Sequence, residues 1–436
     1  MIPFVSLGLL TIGWSYAVYA IGGVEASSSR WFVQAIAVAG ILLWLLPRNH
    51  EPGKTKWLDS ALLFAVLLLA LLQVVPLPIG WIHLISPERF LQLSALSQVI
   101  GPIRNATLSS VNAASRDAIL VLAAYALVYL VVFDLCRRWP GRRWLVVAPV
   151  MGIAFLEAVL GLLQYYGGAD VASGTYLNRN HFAGLLEMSL PFSLMLGFQS
   201  LAGNRSRLET PAWPTIRACL FFGMSAVMLV SVINSQSRMG FISVLVSLLV
   251  MGLVGVSSHY SGGGSAWRRW LPVIVVPAII GAAFVFLPSD QLIGRFASLA
   301  STQEPSEDTR RELWKETLPL VKAYPLAGCG LGGYESCFLP YKTVAPGYTA
   351  DFAHNDYLQV TAEFGLPAFV LLIALALMAY GTALRRTAID NPGRFLAIAC
   401  VGSLSAILLH SFVDFNLYMP ANAMLATWVG ALARNS

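Results

Sequence analysis

Charge is what this sequence has least of. Only 11% of its 436 residues are Asp, Glu, Lys or Arg, 57% are hydrophobic, and the mean hydropathy is +0.69. A soluble domain carries roughly a quarter charged residues, so too few polar side chains are present to coat a water-soluble globule of this length. Cysteine is scarce as well, five in all. Cys136, Cys219 and Cys400 fall at or inside apolar blocks, whereas Cys329 and Cys337 share one loop, where an oxidising compartment would permit a disulfide. Spacing alone leaves that pairing open. The six histidines are scattered and no pair has metal-ligand spacing, which argues against a metal centre. A basic stretch and a small-residue cleavage site are missing around the first apolar block, so it reads as a retained span and not as a cleaved signal.

What the chain does have is apolar blocks of roughly twenty residues, enough to cross about 30 Å of hydrocarbon. They predict an all-α polytopic membrane protein with about twelve transmembrane helices, at 2–22, 31–46, 58–79, 117–135, 144–166, 181–200, 218–234, 239–256, 270–287, 365–383, 396–412 and 418–433. The connections on one side, with Asp59 and Asp134 at their helix ends, hold 16 Lys and Arg against 5 Asp and Glu. The other side holds 12 against 15, and Glu157 and Glu187 lie within spans. By the positive-inside rule the first side is cytoplasmic, with both termini inside. The net charge of +6 therefore reflects topology and gives no reason to expect nucleic acid as a partner.

Two outer stretches exceed what a connector needs, 80–116 and 288–364. The chain thus divides into helices one to nine over 1–287, a large helical extracytoplasmic loop between helices 9 and 10 over 288–364, and the last three helices over 365–436. In the loop, Trp314, Tyr324, Tyr334, Phe338, Tyr341 and Phe352 supply material for a small core. Ser306 is placed to cap a helix over 309–322, with acids in its first turn and Leu313, Trp314 and Thr317 on one face. Gly328, Gly330, Gly332 and Gly333 follow; no strand precedes them, so tight turns fit better than a dinucleotide site. Residues 353–359 then read as a helix entering the membrane, with His354 in its first turn and Tyr357 and Leu358 on the same face.

Three short outer segments, 173–184, 234–240 and 410–417, are polar where neutral linkers would suffice. Arg179 and Arg238 lie among their amides and hydroxyls, on the side where arginine is disfavoured, and Arg310 and Arg311 sit in the large loop. A planar guanidinium pairs bidentately with phosphate and stays charged, so these groups suit a phosphate held near the bilayer. A histidine at a helix N-terminus tends to stay neutral, and a neutral imidazole can take a proton from a hydroxyl. That makes His354 the candidate general base, with Asp351 and Asp356 both placed to orient it.

From about residue 155 to 425 the chain resembles the O-antigen ligase and O-antigen polymerase superfamily of membrane glycosyltransferases. The resemblance rests on Glu157, Gly161 and Gln164, the run Asn178 to Gly184, Ser237-Arg238, Asp308, Arg310 and Trp314, Tyr324-Pro325-Leu326 with its glycines, His354 to Gln359, and His410 to Asn416. It implies a glycosyltransferase C-type fold and an inverting transfer without metal or cofactor. The donor would be a glycan on undecaprenyl diphosphate, and the acceptor a sugar hydroxyl of lipid A–core oligosaccharide. The site would face the periplasm from a Gram-negative inner membrane. Carried over, His354 would be the catalytic base and Arg238, Arg310 and Arg179 would hold the diphosphate, supported by Asn178, Asn180, Asp308, Asn355, Asp356, Tyr357, Gln359 and Asp414. A polymerase or a protein O-oligosaccharyltransferase of the same superfamily shares these motifs. A polysaccharide or lipid transporter is the non-enzyme alternative, disfavoured because the two halves show no repeat.

Overall fold

The structure is a computed structural model that describes residues 1–23, 26–46, 54–202, 212–260, 307–343, 349–388 and 392–436. The expected span at 270–287 and the proposed cap Ser306 lie outside the described residues. The other eleven expected spans fall on helices, in chain order α1 (Ile2–Tyr19), α2 (Ala26–Trp44), α3 (Lys54–Val74), then α6 (Asn112–Arg138), α7 (Arg143–Tyr166), α8 (Arg179–Ala202), α9 (Trp213–Asn234), α10 (Arg238–Tyr260), α13 (Asp356–Arg385), α14 (Arg394–His410) and α15 (Pro420–Asn435). Eight of these are long and apolar enough to cross a membrane; α14 and α15 are shorter, and in α2 the apolar stretch is Trp31–Trp44. The chain is an all-α polytopic membrane protein. Helices suit that setting because each satisfies its own backbone hydrogen bonds where no water can.

The outer stretch at 80–116 is folded. It carries α4 (Ile79–Ile85) and α5 (Pro87–Ile100), closed by a two-residue antiparallel pairing of Leu77-Pro78 with Asn105-Ala106. In the large loop, α11 (Glu307–Ala323) runs slightly longer at both ends than the sequence predicts, and α12 (Tyr334–Phe338) follows. Pro319 does not end α11, because the helix continues four residues beyond it. The loop core forms from Leu313, Leu320, Tyr324, Cys329, Tyr334 and Phe338. Phe352 does not join it but stacks on Phe415 with ring centroids 4.0 Å apart.

At the centre stands α8, buried from Asn180 through Ser193 without interruption. It carries Asn180, His181, Glu187, Ser189 and Ser193 away from lipid, where such groups are costly, and α7, α9, α10, α14 and α15 cover it. The bundle's two ends differ in content. At one, Arg434 of α15 pairs bidentately with Asp59 of α3 at 2.6 and 2.9 Å, Tyr129 of α6 donates to the same carboxylate, and Arg434 reaches Thr382 of α13. At the other gather all three polar segments, α4, α5 and the loop. There Gln73, on the last turn of α3, donates to the carbonyls of Ala327 and Glu363 and accepts from Leu331 N–H.

The loop and the membrane helices interlock where α13 breaks. Gly365 has φ 82° and ψ 165°, outside helical space, and a Cβ there would collide with the Leu326 carbonyl. The break lets the chain at 325–330 run against it, with Leu366 N–H donating to Pro325, Cys329 N–H to Ala362 and Gly330 N–H to Glu363. The glycine run is indeed a set of tight turns, with Gly328, Gly330 and Gly332 all at positive φ. Its backbone N–H groups at Gly332 and Tyr334 close on the Glu363 carboxylate, which Tyr418 also reaches.

Candidate active site

His354 is not in the first turn of α13, contrary to expectation. Asn355 takes the N-cap, its side chain accepting from Leu358 N–H at 3.1 Å, so the helix begins one residue later. His354 precedes the cap with φ 49°, a left-handed conformation that is costly for any residue with a Cβ. The expected shared face with Tyr357 and Leu358 is therefore lost. Three contacts hold the strained turn. Gln359 accepts from Ala353 N–H, Trp314 Nε1 donates to the carbonyls of Ala353 and His354, and Asp356 N–H donates to Ser411 and Asp414 carbonyls.

The turn aims the His354 ring at Asp414, with Nδ1 3.7 Å from Oδ1. Asp414 is buried, and two more histidines surround it: His181 Nε2 at 3.7 Å and His410 Nε2 at 4.0 Å. Behind them His410 Nδ1 contacts both Glu187 carboxylate oxygens at 3.0 and 3.1 Å. Burial alone would raise the Asp414 carboxyl, but the His181 and His354 rings beside it, with His410, hold it well below the usual carboxylate range. The Phe415 ring meets both His181 and His354 edge-on. Histidines scattered through the sequence are thus gathered in space. His181 and His410 lie in two of the polar segments singled out in the sequence, but no role is assigned to either there.

The arginines arrive from three elements. Arg310, near the start of α11, donates to the Val413 carbonyl at 3.2 Å, next to Asp414. Arg179 and Arg238 open α8 and α10. Those two first turns touch, because a Cβ on Gly240 would collide with that of Ala183. Arg179 lies two residues from His181, and Arg238 two from Gly240. Two helix N-termini at one place add positive potential of their own. Among the supporting residues, the Asn178 side chain accepts from Asn180 N–H, Asp356 accepts from Leu417 N–H, and Tyr357 donates to the Leu408 carbonyl. Asp308 falls in the opening turn of α11. Of the two candidate orienting acids, Asp356 binds backbone; the carboxylate facing the ring is Asp414. Cys329 and Cys337 are free thiols, Cys337 Sγ lying 3.8 Å from the Cys329 carbonyl.

The arrangement therefore sets an imidazole facing a buried carboxylate, with the Arg310 guanidinium on the adjacent carbonyl and Arg179 and Arg238 opening two neighbouring helices, at one end of a membrane bundle. Such a site can remove a proton from a hydroxyl and stabilise a departing anion. No curated protein matches the chain. Residues 223–373 match a family model described as O-antigen ligase, a stretch that contains Arg238, Arg310 and His354 but not Arg179, His181, His410 or Asp414. That match covers about a third of the chain and falls on helices and loop that build the site, so this stretch is similar to the O-antigen ligase family, whose members are membrane glycosyltransferase-like enzymes.

Proposed function

We propose that the protein transfers a glycan from undecaprenyl diphosphate to a sugar hydroxyl of lipid A–core oligosaccharide, at the periplasmic face of the inner membrane. The observation that carries the reading is the approach of His354 to Asp414 with Arg310 bound to the adjacent carbonyl. With Nδ1 turned to Asp414, Nε2 of His354 is the atom left to take the acceptor proton. The acceptor oxygen attacks the anomeric carbon from the face opposite the diphosphate, so the linkage inverts as the carbon–oxygen bond to the lipid diphosphate breaks. Arg238, Arg310 and Arg179 offset the charge that builds on the leaving diphosphate, a task for which fixed cations are well suited. His181 and Asp414 hold the base, and the loop residues 307–343 and 349–364 cover the site from the periplasm, with both termini cytoplasmic.

The test uses the purified chain, a lipid-diphosphate-linked glycan and purified lipid A–core, with no other enzyme. Glycan appearing on lipid A–core is the expected result. Growth of the lipid-linked glycan alone would make the protein a polymerase, and the ligase reading would fall.

A further inference from the structure

A second polar recess lies away from His354. It is a cleft of about 250 Å³ between α5 and the loop unit, lined by Glu88, Arg89, Gln92, Tyr324, Cys337 and Tyr341 among others. Its walls are braced before anything binds. Gln92 Nε2 donates to the Tyr324 hydroxyl at 2.6 Å, Arg89 donates to Gln92 Oε1 and to the Thr107 carbonyl, and Ser110 N–H donates to the Cys329 carbonyl.

The lining excludes several ligands. A diphosphate would meet Glu88 as well as Arg89, and an acyl chain would leave the carboxylate, guanidinium and amide of the lining without partners. A carboxylate, a guanidinium, an amide and hydroxyls set around two phenol rings match a sugar instead. Its hydroxyls both donate and accept, and its apolar face stacks on aromatic rings. The position is informative too. Arg310 and Tyr324 bracket α11, so at 1.5 Å per residue the cleft lies about 20 Å from the Arg310 end. That is several sugar units along a chain.

We propose that this cleft is a distal saccharide subsite, gripping the glycan several units from the bond being made. The inference rests on the proposed glycan transfer. It adds a device for choosing long chains over short ones, since a single repeat of one or two sugars anchored at His354 is too short to reach the cleft. Binding energy gathered there acts on affinity and leaves the chemical step unchanged.

Cys337 gives a direct readout. It is partly exposed in the cleft, and its thiol is lowered by the hydrogen bond with Cys329 and by Arg89, against the opposing effect of burial. In a Cys219→Ser background, which removes the exposed thiol of α9, Cys337 is modified by a charged thiosulfonate in the full-length protein. Three probes are compared: a lipid-linked glycan of one repeat, one of many repeats, and the free polysaccharide released from the latter. The long donor and the free polysaccharide should slow modification at least fivefold, and the single repeat should not. Protection by lipid A–core in place of the long donor would assign the cleft to the acceptor's sugars and overturn the proposal. In parallel, Tyr341→Ala and Glu88→Ala should raise KM for the long donor about tenfold, with kcat and the single-repeat KM unchanged. Equal modification rates with every probe, and equal KM values for long and short donors in both variants, overturn the proposal. If the protein transfers no glycan, the functional reading fails on its own, while protection by free polysaccharide still reads the cleft.

Discussion

At the scale of single residues, the centre of the account is Asp414, a carboxylate with three imidazoles around it and no solvent to screen it. Its depressed carboxyl has a definite pH signature. A group whose folded value lies below its unfolded value stabilises the fold fully above the unfolded value, about 3.9 for Asp, and loses that contribution as pH falls through the folded value. Asp414→Asn should therefore lower the unfolding temperature at about pH 5, with the gap closing only under strong acid. Thermal unfolding in detergent reads this directly, and a gap that closes already at about pH 5 would show that Asp414 is not held low. His410 and Glu187 meet with no exposure on either side chain. Removing one partner of a buried pair leaves the other uncompensated, typically at about 3–5 kcal/mol, so His410→Ala should destabilise by that order and Glu187→Gln by less. Equal stability of His410→Ala and wild type would remove the pair from the account.

Much of this scale was legible in the chain. His354 and the three arginines stood out because cations and an imidazole are rare and costly near a bilayer, so each demanded a purpose. His181 and His410 did not stand out, because sequence spacing cannot show that α8 and α14 press their ends together. The exact start of α13 was also hidden. Asn355 and His354 compete for the cap, and Asn355 wins because its short amide reaches Leu358 N–H.

At the scale of elements, the broken helix α13 joins the loop to the bundle. The sequence predicts a helix entering the membrane there, but a glycine next to the start of a span gives no hint that another stretch of backbone will pass within contact distance. Gly365→Ala combines a positive φ with a collision at Leu326, and should cost at least about 2 kcal/mol while loosening the 325–330 turn. Gly381→Ala, in the same helix with open space around it, should be neutral within about 1 kcal/mol. Unfolding temperatures of the two variants decide it, since equal effects would mean the break is not required. The helices themselves were readable because apolar block length is set by the bilayer. The shorter ones, α14 and α15, were readable as hydrophobic runs, and the polar turn at 411–419 cuts them.

Across the whole molecule the two ends do different work. The Arg434–Asp59 pair ties α15 to α3, and Arg386 reaches the Ser436 carbonyl beside it, all at the end opposite His354. This end was expected from charge counting to be the basic one, yet the same counting treats Asp59 and Arg434 as independent topology markers when they are one clamp. Arg434→Ala should lower stability by about 3–5 kcal/mol and leave the KM for donor unchanged. A changed KM with unchanged stability would mean that the ends communicate in a way the packing does not explain.

The central claim is that His354 removes the acceptor proton while the arginines hold the diphosphate. The most direct measurement follows donor binding and glycan transfer together in His354→Ala and Arg310→Ala. For His354→Ala the account predicts donor binding within about twofold of wild type and transfer reduced about 10²–10⁴-fold. For Arg310→Ala it predicts that donor binding and transfer both fall. Transfer at the wild-type rate by His354→Ala, with the protein folded and the donor bound, would contradict it.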